Sequence, residues 1–245
     1  MTVAYALHLD ATRGAALFYS SSPSTRVARS WATTLNIALD KDLEVETSQG
    51  RVRGRVVVTP AGVERRSTSR GPVLTLLLDG DDHRAAWQPF RERGPVALGA
   101  TSAAWRLGEL SRELLSKRAS VAVDALGRVT ALLPIGRAPL ADDRLEQLLG
   151  ELRLSEGLER PLQAAAHRLG LTPAHLSDRF ARIVGLPLKR WLLWERTRRS
   201  LRRLDTGSGV SAAFEAGFAD QPHMVRTFSR QFAYTPGVLQ RALSR

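Results

Sequence analysis

Ala164-Ala165-Ala166-His167-Arg168-Leu169-Gly170-Leu171-Thr172-Pro173-Ala174-His175-Leu176-Ser177-Asp178-Arg179-Phe180 and Ala212-Ala213-Phe214-Glu215-Ala216-Gly217-Phe218-Ala219-Asp220-Gln221-Pro222-His223-Met224-Val225-Arg226-Thr227-Phe228 are two copies of one pattern. His175 corresponds to His223, Leu176 to Met224, and Phe180 to Phe228. Each copy reads as a short Ala-rich helix, a tight turn and a second helix opened by a capping residue. That is the grammar of a helix-turn-helix unit. Thr172 and Asp220 stand where the second helices need N-caps. Pro173 takes the first helical position, where its missing N–H costs nothing. Gly185 and the pair Gly207 and Gly209 are placed to close helices. Leu176 with Phe180, and Met224 with Phe228, are expected to face the first helix of their own unit. Ala165 and Ala213 are small enough to let two helices cross closely.

The second helix of such a unit is the one that enters a DNA major groove. In the first unit Ala174, Ser177 and Asp178 project from its early turns. In the second, Gln221, Pro222, Val225 and Arg226 do. Arg can grip guanine and Gln adenine through paired hydrogen bonds. Asp178 can accept from cytosine N4 but repels phosphate, so most base discrimination is expected from the second unit.

The helix Leu188–Leu204 joins the units. It carries Lys189, Arg190, Arg196, Arg198, Arg199, Arg202 and Arg203, with Trp191, Trp194, Leu201 and Leu204 at helical spacing to pack between them. At about 1.5 Å per residue it is about 25 Å long, close to the span between successive major grooves, about 34 Å. Arg182, Lys189, Arg190, Arg198 and Arg230 are the expected phosphate contacts. Upstream, Asp142–Arg153 has Leu145, Leu148, Leu149 and Leu152 on one face and acids in its first turn.

The first half reads differently. Thr34–Leu39, Leu43–Thr47, Val52–Val58 and Val73–Leu78 are short β-branched or alternating runs, separated by turn signals such as Pro60-Ala61-Gly62 and Asp79-Gly80-Asp81-Asp82. A small sandwich or barrel is expected. Residues 102–117 turn helical, with Leu107, Leu110 and Leu114 in a stripe. Residues 119–140, with Gly127, Pro134, Gly136 and Pro139, read as a linker. The expected fold is therefore α+β: an N-terminal β domain over 1–118 with its C-terminal helix, a linker at 119–140, and an all-α domain with two helix-turn-helix units over 141–245.

The net charge of +12 favours polyanion partners, but both halves carry +6, so charge does not say which half meets DNA. Of the 36 basic residues only Lys41, Lys117 and Lys189 are lysines, the arginine bias of a GC-rich genome. Cysteine is absent, which excludes disulfides and thiolate chemistry and suits a reducing cytoplasm. No apolar run approaches about 18 residues, so no membrane partner is expected. The N-terminus does not resemble a secretory signal.

Residues 141–245 resemble the DNA-binding domain of AraC/XylS-type bacterial transcriptional regulators. The stretch from Ala216 through Asp220, Gln221, Pro222 and Phe228 to Tyr234-Thr235-Pro236 is close to that family's signature. The family's base-reading positions fall on Ala174, Ser177 and Asp178, and on Gln221, Pro222, Val225 and Arg226. Two departures stand out. Gly185-Leu186-Pro187-Leu188 has its proline one place early, and an acid occupies Asp178. The first half resembles a reduced cupin-like sensor domain, on Val56-Val57-Val58-Thr59-Pro60-Ala61-Gly62-Val63-Glu64-Arg65. The resemblance implies transcription regulation, activation among its modes, through double-stranded DNA and RNA polymerase. Residues 102–117 match where relatives place dimerising helices; a homodimer face and a helix docked on its own barrel are both open.

Only His8 and His83 lie in the first half, far apart, so neither a metal nor another cofactor is expected. The apolar strands suit a dry pocket for a small organic effector, or one filled by side chains. An enzyme is the competing class. No Gly-x-Ser-x-Gly elbow, phosphate-binding Gly-rich loop, His-Glu-x-x-His helix or Gly-x-Gly-x-x-Gly turn is present. Asp79, Asp81, Asp82 and His83 lack calcium-loop spacing and read as a solvated turn. No catalytic residue is assigned. A ligand-sensing module without strong DNA binding is the nearer alternative, a cupin-type enzyme the farther one.

Overall fold

The computed structural model describes residues 7–10, 15–20, 26–79, 94–98, 106, 109, 140, 142–154, 161–204 and 215–243. Among the described residues ten strands come first: β1 Leu7–Asp10, β2 Ala15–Ser20, β3 Val27–Arg29, β4 Thr33–Ala38, β5 Leu43–Thr47, β6 Gly50–Gly54, β7 Val56–Thr59, β8 Glu64–Thr68, β9 Val73–Leu78 and β10 Val96–Leu98. They form a six-stranded sheet in the order β1-β2-β9-β4-β7-β10 and a four-stranded sheet in the order β3-β8-β5-β6. Every pairing is antiparallel.

β4 is the centre of the larger sheet, and all six of its residues are buried. Both faces of the strand are therefore covered, which explains its near-continuous apolar and β-branched sequence. Register puts Thr34, Asn36 and Ala38 on one face with Thr59, Val57, Leu77, Thr75 and Val73. Ala38 and Val57 share a core cluster with Leu43 and Val45 of β5, so this is the face turned toward the smaller sheet. The result is an antiparallel two-sheet sandwich.

Two expectations need correction. The run Val52–Val58 is not one strand. It breaks at Gly54-Arg55, with β6 in one sheet and β7 in the other. A Cβ on Gly54 would stand 3.0 Å from the Ala97 Cβ, so the corner has no room for a side chain. Arg55 Nη1 donates to the Leu39 carbonyl at 3.0 Å across that corner. Asp79 is not part of a solvated turn: it is fully buried at the end of β9. Asp81, Asp82 and His83, the linker 119–139 and most of 102–117 lie outside the described residues; Arg106 and Glu109 are helical and exposed.

Among the described residues of the C-terminal half the helices are α1 Asp143–Leu154, α2 Pro161–Arg168, α3 Pro173–Val184, α4 Leu188–Arg203, α5 Gln221–Phe232 and α6 Pro236–Leu243. Among the described residues no helix is long and apolar enough to cross a membrane. α1 to α4 share one core, with Leu145, Leu148, Leu149, Leu176, Phe180 and Trp191 at its centre. A second core joins Trp194, Leu201 and Leu204 of α4 to Phe218, Met224, Phe228 and Leu239. It also takes in Ala32 and Leu77 from the sandwich. The sandwich thus packs directly on the second helix-turn-helix unit, and β3 lies against α5.

Candidate DNA-binding surface

The first unit is α2, a turn and α3. Gly170 makes the turn with φ of 65°, and the Leu171 N–H returns to the Ala166 carbonyl at 2.9 Å. Thr172 is extended, and its Oγ1 accepts from the His175 N–H at 3.2 Å. This satisfies one of the orphan donors of the helix start. Gly185 closes α3 in the left-handed conformation. Leu176 and Phe180 are fully buried, with Phe180 edge-on to Trp191 at 5.9 Å. Ala174 and Asp178 are exposed and Ser177 is half-buried.

The second unit repeats this geometry. Asp220 is extended, and its Oδ1 accepts from the His223 N–H at 2.5 Å. Met224 and Phe228 are buried. Gln221, Pro222 and Arg226 are exposed and Val225 is half-buried. Arg226 Nη2 stands 4.0 Å from Asp220 Oδ1, with both side chains open to solvent. Such a pair leaves the arginine free to exchange partners. α5 ends at Ala233 with φ of 63°, a left-handed residue with a side chain where α3 uses glycine. Ala213 and most of this unit's first helix lie outside the described residues.

The cations expected at phosphate divide sharply. Arg182, Lys189, Arg190 and Arg230 are exposed. Arg190 also stacks over the Trp31 ring of the sandwich, 4.7 Å from its centroid. Arg198 is the correction: it is 6% exposed and cannot reach a phosphate from where it stands. Its Nη1 lies 2.7 Å from Asp79 Oδ2 and its Nη2 2.8 Å from Glu195 Oε2. Asp79 Oδ1 also accepts from Trp194 Nε1 at 2.5 Å. A buried guanidinium needs such carboxylates, since desolvation is otherwise costly.

Two other cations of α4 are also held within the protein. Arg199 donates to the carbonyls of Leu152 and Arg153 at 3.0 and 3.1 Å, at the end of α1. Burial, and then the neighbouring Arg198 and Arg203, push its pKa down, while Glu195 pulls it up. Arg203 pairs with Glu215. Asp79 was expected in a solvated turn, and Glu195 was not anticipated at all. The signal available was that Glu195 is the one acid in α4, one turn before Arg198. Arg179 was missed as well: its Nε lies 2.6 Å from Asp142 Oδ2, and Asp142 in turn accepts from the Leu145 N–H. This clamps the recognition helix of the first unit to the start of α1.

Residues 165–242 match the family model of a helix-turn-helix domain. No curated protein sequence matches the chain. Among solved structures the chain is similar to an apo variant of ToxT from Vibrio cholerae strain SCE256, at 11% identity and a TM-score of 0.62, covering 94% of this chain and 98% of that one. It is similar to ToxT from Vibrio cholerae O395 at 9% identity and a TM-score of 0.60, covering 95% and 99%. Wild-type ToxT of strain SCE256 with an unsaturated fatty acid bound matches at 11% identity and a TM-score of 0.57, covering 97% and 98%. Residues 165–242 thus carry a helix-turn-helix domain, and the chain shares the fold of ToxT over nearly its whole length.

Proposed function

We propose that the protein is a sequence-specific DNA-binding transcription regulator whose N-terminal sandwich takes a small organic effector. One observation carries the DNA reading. Two recognition helices, each N-capped and each seated on its own buried core, leave Ala174, Asp178, Gln221, Pro222 and Arg226 exposed. Ser177 and Val225 complete the base-reading set. Arg182, Lys189, Arg190 and Arg230 supply phosphate contact; Arg198 does not. The effector reading draws on ToxT, which has been crystallised with an unsaturated fatty acid and with (E)-4-(8-methylnaphthalen-1-yl)but-3-enoic acid. In this reading the protein is a regulator rather than an enzyme and works in the cytoplasm. It contacts RNA polymerase and dimerises through 102–117.

Mobility shift on genomic fragments tests the core of this reading and yields the operator. Affinity should fall steeply as salt rises, since each phosphate-bound cation releases condensed counterions. A flat salt response, or no binding at low salt, overturns it.

A further inference from the structure

The interior of the sandwich holds a group of polar atoms that packing leaves unanswered. Thr34 lies directly across from Thr59, and Asn36 is one step along the same face. All three are buried. Thr34 Oγ1, Thr59 Oγ1 and Asn36 Nδ2 have no hydrogen-bond partner among the described residues. The other end of the Asn36 amide is occupied, because Oδ1 accepts from Thr75 Oγ1 at 2.9 Å. From the smaller sheet, Arg65 of β8 faces the same interior. Its neighbours Glu64 and Arg66 are exposed while it is 7% exposed. Ser67, two residues on and so on the same face, pairs in register with inward-facing Val45. Arg65 Nη1 also has no partner among the described residues.

These four atoms share a property. Arg65 Nη1 and Asn36 Nδ2 can only donate, and the two hydroxyls can donate. A buried arginine ordinarily finds a carboxylate, as Arg198 finds two. Arg65 has none among the described residues: burial acts on it and lowers its pKa to about 10. A buried cation without a carboxylate among the described residues, in an interior that also holds three unanswered donors on the opposite sheet, is a poor way to fill a core. It is a good way to receive an anion.

We infer that Arg65 is the anchor of a ligand site inside the sandwich and that its ligand is an organic monocarboxylate. The carboxylate accepts from Arg65, Thr34, Asn36 and Thr59, and the apolar body lies toward Leu43, Val45 and Val57. A phosphate ester fits less well, because its second charge would meet no second cation. The inference rests on the sandwich being the effector domain. It also supplies a route outward. Leu77, paired with Thr34, belongs to the core cluster of Trp194, and Asp79 follows two residues later to hold Trp194 and Arg198.

The test uses full-length protein and three carboxylates: acetate, benzoate and octanoate as sodium salts, against sodium chloride at equal ionic strength and octanamide as a neutral match. Thermal unfolding of the wild type should shift up with octanoate or benzoate and not with octanamide. Arg65→Met should weaken that binding by roughly ten-fold or more by calorimetry, the loss of a charge-assisted hydrogen bond. Without ligand, the same variant should melt no lower than wild type. Thr59→Val removes one donor and keeps the shape, and should weaken binding several-fold; it serves alone if the methionine variant does not fold. The inference is overturned if no carboxylate exceeds sodium chloride, if octanamide matches octanoate, or if both variants bind like wild type. Operator binding that answers a neutral compound but no carboxylate leaves effector control standing and overturns the anchor. Carboxylate binding without any DNA binding keeps the anchor and overturns the regulator.

Discussion

The two helix-turn-helix units share a grammar and differ in what holds them. The first is built from helices alone. Leu176 and Phe180 sit in a core closed by α1, α2 and Trp191, and Arg179 is tied to Asp142 at the α1 start. The second is held in part by the sandwich. Ala32 and Leu77 enter its core, Ser20 Oγ meets the Tyr234 hydroxyl at 3.5 Å, and Asp79 grips two side chains of α4. An equal pair of readers would only need rigidity. An unequal pair ties one half of the reading head to the sandwich and leaves the core of the other to the helical half alone. The residues that would touch bases are outside this attachment: Met224, Thr227, Phe228 and Gln231 of α5 face inward, and Gln221 and Arg226 do not.

The largest test of this contrast is Asp79→Ala. It takes the Asp79 carboxylate from Arg198, which keeps Glu195, and removes the acceptor of Trp194 Nε1. Breaking one partner of a buried ion pair costs about 3–5 kcal/mol. Urea unfolding should report a loss of that order. Amide exchange should rise in α5 and the second half of α4 more than in α3. Equal loosening of both units would break the comparison. Next comes base reading. Arg226→Ala should cost specific affinity by about 1–3 kcal/mol and relax preference at one base position, the worth of a good paired contact. Asp178→Ala should leave operator affinity unchanged or raise binding to all DNA. Mobility shifts on operator and scrambled duplex decide between them. If Asp178→Ala alone abolishes operator binding, the first unit is the principal reader. The smallest effect belongs to the caps. Thr172→Ala and Asp220→Ala should each cost about 1 kcal/mol by denaturant midpoint. Unequal costs would locate the weaker recognition helix.

Much of the helical half was legible because its signals are local. The caps at Thr172 and Asp220 and the αL glycine at 185 follow from residue type and from spacing within one turn. The buried pairs Leu176/Phe180 and Met224/Phe228 are legible for the same reason. Arg198 was not legible. Helical periodicity marks it only as basic, and its fate depends on Asp79, 119 residues away in sequence. Asp79 was misread for the converse reason: beside Asp81 and Asp82 it looks like a turn, and only its tertiary partners keep it buried. In the sandwich, apolar strands such as β4, β5 and β9 announced themselves. β8, Glu64-Arg65-Arg66-Ser67-Thr68, did not, because the residue it turns inward is an arginine rather than a valine. β3, three residues long, gives period-2 patterning too little length to register. The break of 52–58 into two strands hinges on how close Ala97 comes to Gly54, which no local pattern records.

Trp191 and Trp194 stand three residues apart on one continuous helix, each buried in a different core. A straight α-helix resists torsion, so neither unit can swivel about the other without breaking that rod or pulling a tryptophan from its seat. α4 is therefore a ruler that sets phase as well as distance. On the proposed function, its two readers can engage only half-sites whose separation returns them to the same side of the duplex, about 10–10.5 bp centre to centre. Five base pairs inserted between the half-sites would turn one of them to the opposite side. The protein would then read one half-site or the other, never both.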